Sequence, residues 1–219
     1  MKPCRSLLTL AALAAAVPSF ANSTLTIDFE ASPGYAVAVL DTYAPLGASF
    51  SDGALALSND VLGPYFSNAP TPGTADPFAG TVMFVDPGAA NAVLNIAGGV
   101  GPSPLTGFVN AVSMDYASTV DAFSVVQIFA GLNGSGQRLG KISVAENQID
   151  SHCSSSAFCN WQNITLTFQG TARSMVFSSN GGNITFDNIQ ITAVPEPETF
   201  AMLLAGLVAV GFMTRRRRD

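Results

Sequence analysis

The chain has 219 residues and a formal net charge of −6, and charged side chains make up only 11% of it. Its bases are concentrated at the two ends, with Lys2 and Arg5 at one and Arg215 to Arg218 at the other, leaving Arg138, Lys141 and Arg173 between them. From Asn22 to Val194 three bases face twelve acids, a net of about −9, which excludes nucleic acid and anionic membrane as partners held by charge.

The first residues read as a secretory signal peptide. Lys2 and Arg5 form a basic start, Leu7 to Val17 is apolar, and Ser19-Phe20-Ala21 offers small residues at the positions a signal peptidase reads. Cleavage is expected between Ala21 and Asn22, giving a leader of residues 1–21. Cys4 leaves with it, and Asn22 stands where a lipoprotein would need cysteine.

The body, 22–193, has the length of one domain. Few charges, much Gly, Ser, Thr and Asn, and evenly spread aromatics suit an extracellular all-β domain. Leu25, Ile27 and Phe29 alternate with Thr26, Asp28 and Glu30, which predicts a half-buried strand with both acids on its polar face. Leu46 to Ser58 reads as two short strands about the turn Ser51-Asp52-Gly53. Asn59 to Gly80 carries Pro64, Pro70, Pro72 and Pro77 and reads as a long loop. Strands follow at Thr81 to Asp86 and Ala92 to Ile96, then a Gly/Pro-rich stretch from Gly98 to Gly107.

The second half is more regular. Val109 to Tyr116 places Val112, Met114 and Tyr116 on one face. Phe123 to Ala130 and Arg138 to Val144 flank Asn133-Gly134-Ser135-Gly136, a hairpin signal. Cys153 and Cys159 are expected to form a disulfide in an oxidising compartment, with Trp161 packed on it. Trp161 to Gln169 alternates strictly. Arg173 to Ser178 and Asn183 to Thr192 read as a second hairpin about Ser179-Asn180-Gly181-Gly182. In the last strand the apolar phase changes from Ile184 and Phe186 to Ile189 and Ile191, so a bulge is required at Asp187-Asn188. Eight to ten short strands argue for a single β-sandwich or jelly roll.

A jelly roll commonly brings its first and last strands together, and Asp28, Glu30 and Asp187 would then converge in a hard-oxygen set suited to calcium. Phe29-Glu30 and Asp187-Asn188 resemble the places where galactose-binding-like jelly rolls, among them carbohydrate-binding modules, hold a structural calcium. That resemblance implies a structural calcium at Glu30 and Asp187, and the convergence of the strands adds Asp28.

The tail, Val194 to Asp219, has three parts: Pro195-Glu196-Pro197, an apolar run from Phe200 to Met213, and Arg215-Arg216-Arg217-Arg218. With its flanking threonines the run has sixteen uncharged residues, which reach about 24 Å as a helix. A hydrocarbon core is about 30 Å thick, so the segment is a short transmembrane helix whose arginines stay cytoplasmic. The order of the three parts resembles the PEP-CTERM sorting signal of Gram-negative bacteria. The resemblance implies exosortase, a membrane-embedded cysteine protease, as partner, and a cut near Pro195-Glu196-Pro197.

His152 is the only histidine, and the chain has no G-x-S-x-G, H-E-x-x-H or P-loop motif, so an enzyme is not expected. A polysaccharide hydrolase using two of the acids is the remote alternative. The sequence therefore predicts an exported, non-enzymatic surface or matrix protein. It passes signal peptidase, then the inner membrane and exosortase. The alternative is a module binding exopolysaccharide through exposed aromatics, with Tyr35, Tyr43, Tyr65 and Phe66 as candidates.

Overall fold

The computed structural model describes residues 23–32, 34–58, 80–99, 104–148, 158 and 160–195. The leader, Cys153 and Cys159, Tyr65 and Phe66, Glu196 and Pro197, the apolar run and the arginine cluster lie outside the described residues. Among the described residues no helix is long and apolar enough to cross a membrane.

Among the described residues twelve strands follow in order: β1 (Ser23–Ile27), β2 (Tyr35–Ala38), β3 (Ala48–Phe50), β4 (Ala54–Ser58), β5 (Thr81–Val85), β6 (Asn91–Ile96), β7 (Leu105–Ser118), β8 (Ala122–Phe129), β9 (Arg138–Val144), β10 (Gln162–Ala172), β11 (Ser174–Ser178) and β12 (Ile184–Pro195). They form two sheets, a β-sandwich as the sequence predicts. One runs β10-β7-β12-β5-β4-β2 with β1 also paired to β12, and the other runs β3-β6-β11-β8-β9. Apolar residues at alternate positions fill the space between them, including Val112 and Met114 of β7, Val126 and Ile128 of β8, and Met175 and Phe177 of β11.

The β8–β9 hairpin forms as expected. Its loop needs a left-handed backbone at Asn133, Gly134 and Gly136, with φ of 56°, 68° and 77°. The second expected hairpin does not form. β11 pairs with β6 and β8 in one sheet, while β12 pairs with β7, β5 and β1 in the other. Gly181 and Gly182 carry the chain across the sandwich instead, at φ of 68° and 78°. The reason is visible in the side chains: Phe177 and Phe186 meet edge to face across the core, with ring centroids 5.1 Å apart. Ser51-Asp52-Gly53 is likewise a corner, since β3 pairs with β6 and β4 with β5 and β2.

Two further corrections concern the first strand and its surroundings. β1 ends at Ile27, and Asp28 to Ser32 form a turn closed by the Ser32 N–H on the Phe29 carbonyl at 3.0 Å. Phe29 is nonetheless buried, because φ of 59° folds it back against Tyr43 and Phe50, at centroid distances of 6.1 and 5.7 Å. Tyr43 is therefore a core residue, 4% exposed, and not a surface aromatic. β2, unforeseen in the sequence, is an edge strand whose Tyr35 and Val37 face outward.

Candidate functional site

β12 pairs with three strands, β7, β5 and β1. It pairs along one side with β7. Its other side has two partners in succession: β5 at Thr185 and Phe186, then β1 from Ile189 to Ala193. The bulge expected at Asp187-Asn188 is present and lies at this change of partner. Asn188 is left-handed there, with φ of 49°. The extra residue restores the core face, so Ile184, Phe186, Ile189, Ile191 and Ala193 are all buried.

The same change of partner gathers acids. Ile27 lies opposite Ile189, so the turn that follows β1 is delivered beside the bulge. Asp187 and Asp115 are direct cross-strand partners. Asp187 is 1% exposed. Burial, then the negative charges of Glu30, Asp115 and Asp28, push its carboxyl up to about 8, against one hydrogen bond from the Asn188 N–H that favours the charged form. That bond is 2.7 Å long.

The surrounding carboxylates are each tied down. Asp28 Oδ1 accepts from the Tyr43 hydroxyl and the Glu30 N–H, both at 3.3 Å. Glu30 Oε1 accepts the Thr81 N–H at the start of β5, at 3.1 Å. Asp115 accepts from Asn188 Nδ2 at 3.0 Å and Asn163 Nδ2 at 2.8 Å. Burial and the adjacent Asp28 charge raise the Tyr43 phenol, so it stays a proton donor to Asp28.

The sequence thus named Asp28, Glu30 and Asp187, and the structure brings these three within electrostatic reach of one another. Among the described residues, however, no three His, Cys, Asp or Glu side chains stand together as ligands of one metal ion. Asp115 and Asn163 were not foreseen as members. Their polar positions on β7 and β10 were legible, but the register that sets them beside Asp187 was not. A carboxyl near 8 has the acidity of a general acid at neutral pH. Asp187 is too enclosed for a substrate to reach its proton.

Two other features lie along β12. On the outer face of the larger sheet a depression of about 190 Å³ is lined by Thr24, Ala111, Ser113, Thr165, Gln190, Ile191 and Thr192. It presents short hydroxyls and an amide, without an aromatic ring. At its far end β12 continues through Ala193, Val194 and Pro195. There Ser23 pairs with Ala193, and Phe108, Gly107 and Leu105 of β7 pair with Ala193, Val194 and Pro195. The Thr106 hydroxyl donates to the Val194 carbonyl at 3.2 Å.

The fold is a two-sheet β-sandwich. The K2 cleaved adhesin domain of Lys-gingipain superposes with a TM-score of 0.50 at 15% identity, covering 78% of this chain and 99% of that domain. A family 6 carbohydrate-binding module gives a TM-score of 0.38 at 13% identity, covering 67% and 87%. A Clostridium stercorarium module solved with cellobiose gives 0.35 at 15% identity, covering 64% and 93%. No curated protein sequence matches the chain. Residues 193–218 match the PEP-CTERM protein-sorting motif.

Proposed function

We propose that this is an exported surface or matrix protein with a non-enzymatic β-sandwich body, delivered by its C-terminal motif and processed by exosortase. One observation carries the reading: the match over residues 193–218, which holds the Pro-Glu-Pro step, the apolar run and the arginines in order. The signal peptide of residues 1–21 and a membrane-held stage belong to the same proposal, since arginines that stay cytoplasmic require the body to be exported ahead of the apolar segment. A Cys153–Cys159 bridge fits that compartment. The test is deletion of residues 196–219, followed by fractionation and intact mass. The tail-less protein should leave the sorting route. An unchanged destination and unchanged processing would refute the proposal.

A second reading, binding of exopolysaccharide by the body, is favoured by the hydroxyl-lined depression and by Tyr35, which is 50% exposed on an edge strand. Glycan-array binding that Tyr35→Ala or Thr165→Val abolishes would establish it, and a blank array would end it.

We further propose a structural calcium at Asp28, Glu30 and Asp187, with Asp115 beside them. The donors are chemically right for a hard cation, and the enclosed like charges would be relieved by one. Binding has to draw Asp28 and Glu30 away from Tyr43 and Thr81, because the three acids do not form a ligand set as they stand. Calcium titration should raise the melting temperature of the wild type and leave Asp187→Asn unchanged. No rise in the wild type would end the idea.

A further inference from the structure

The charges of the body are divided between its two sheets. β3, β6, β8, β9 and β11, which make up the smaller sheet, contain no Asp or Glu. β9 holds Arg138 and Lys141, and Arg173, the remaining base of the body, directly precedes β11. The acids about the β12 bulge belong to the larger sheet and to the turn after β1. Packed sheets lie about 10 Å apart, and physiological salt screens charge over about 8 Å. The smaller sheet therefore shows a partner its own cations, although the body behind it is acidic.

Beside those cations stands an aromatic ring. Phe123 is 88% exposed, whereas Phe ranks among the side chains most often fully buried. A bulge puts it there. Ala122 pairs with Val144 and Val126 with Ile142, so four steps along β8 match two along β9. Ser124 takes up the extra length in a left-handed backbone, with φ of 54°, and its N–H donates to the Ser143 hydroxyl at 3.0 Å. Ala122 and Val144 are buried, so the residues beside them, Phe123 and Ser143, turn outward. Lys141 is the next outward residue of β9, about 7 Å from Ser143, and lies opposite Gln127. Gln127 Oε1 accepts from Arg138 Nη1 at 3.1 Å, so Arg138 is tied to an amide rather than to an acid.

We propose that this outer strip of β8 and β9 binds an acidic polysaccharide, a chain of sugar rings that carry carboxylates. Phe123 takes the apolar face of one ring, and Lys141 and Arg138 pair with carboxylates on the rings that follow. Ser143 and Gln127 meet the hydroxyls between them. A phosphodiester chain is the wrong polyanion, because its charge is dense and its affinity comes from many basic contacts. An acidic peptide has carboxylates but no flat ring face to lay on Phe123. The strip lies on the opposite sheet from the depression that contains Thr165, so the two surfaces are independent.

The test is calorimetric titration of the full chain, held in neutral detergent, with polygalacturonate. A chelator is present, so that no divalent cation bridges the polymer to the acids at the β12 bulge. The wild type should bind, and more weakly as salt rises. Methyl-esterified polygalacturonate, the same backbone without its charges, should bind about tenfold more weakly or worse. Lys141→Gln combined with Arg138→Gln should lose about tenfold on polygalacturonate, and Phe123→Ala about as much. Phe123→Tyr, which keeps the ring, and Thr165→Val should bind as the wild type does. All these positions except Thr165 are on the outer face of the smaller sheet, and an unchanged melting temperature checks that each variant is folded. No binding by the wild type, equal binding of the esterified polymer, or full binding by the charge and Phe123→Ala variants would overturn the inference. Equally tight binding of polyglutamate would also overturn it and make the strip a dock for acidic peptides. Binding lost in Thr165→Val alone would place the sugar site on the larger sheet instead.

Discussion

Asp187 makes the stability of this protein depend on pH in a direction opposite to that of most carboxylates. Its folded-state value is about 8 against an ordinary 3.8. Between these values the folded chain holds a proton that the unfolded chain has released. Stability is therefore greatest below about pH 4 as far as this group is concerned, and falls as pH rises, until the folded group ionises near 8. Each unit of the gap corresponds to about 1.4 kcal/mol, so the full penalty approaches about 6 kcal/mol above pH 8. Asp187→Asn removes the titration and keeps an oxygen for the Asn188 N–H. Above about pH 8, where Asp187 would be charged, it also removes the like-charge pairing with Asp115 across the β7–β12 ladder. Urea unfolding of wild type and variant from pH 4 to 9, in the presence of a chelator, should give curves that coincide near pH 4. The variant should gain by roughly 1.4 kcal/mol per pH unit until about pH 8. A gap that does not change with pH would refute the electrostatic account, and a variant less stable throughout would mean that the charged carboxylate is needed.

Phe186→Ala should cost about 3–5 kcal/mol in the same unfolding measurement, since it empties a fully buried site against Phe177; a cost below 1 kcal/mol would mean that the two sheets are not joined there. Gly107→Ala should destabilise by about 2 kcal/mol or more, because a Cβ at φ of 151° would lie 2.2 Å from the Ala172 carbonyl oxygen; an unchanged urea midpoint would contradict that close approach. Tyr43→Phe should cost about 1 kcal/mol at neutral pH by removing the hydroxyl bond to Asp28. Asp187→Asn and Tyr43→Phe should also combine non-additively if Asp28 couples them, which a double-mutant cycle reads directly.

Local patterns carried much of the reading. Period-two alternation gave most of the strands, because a strand half buried in a sandwich must place every second side chain inside. The break in that alternation at Asp187-Asn188 announced the bulge, since no regular strand can move its apolar set from one face to the other. Composition gave the all-β class, and the order of proline step, apolar run and arginines gave the sorting motif. Phe29 resisted this approach. Its place in the alternation suggested a longer first strand, whereas burial against Tyr43 and Phe50 holds it in a left-handed turn.

The amino-acid order by itself determined which side chains seek the core, where the chain must bend, and which address it carries, because each of these depends on neighbours a few residues apart. Only the tertiary structure decided which strands pair. A glycine turn looks the same whether it closes a hairpin or carries the chain to the opposite sheet, and the facing aromatics Phe177 and Phe186 settle that choice. Pairing in turn placed Asp115 against Asp187, lodged Tyr43 in the core, and set Ser23 beside Ala193. These contacts join residues as many as 170 positions apart, and their register is fixed by packing over the whole sandwich rather than by any segment alone.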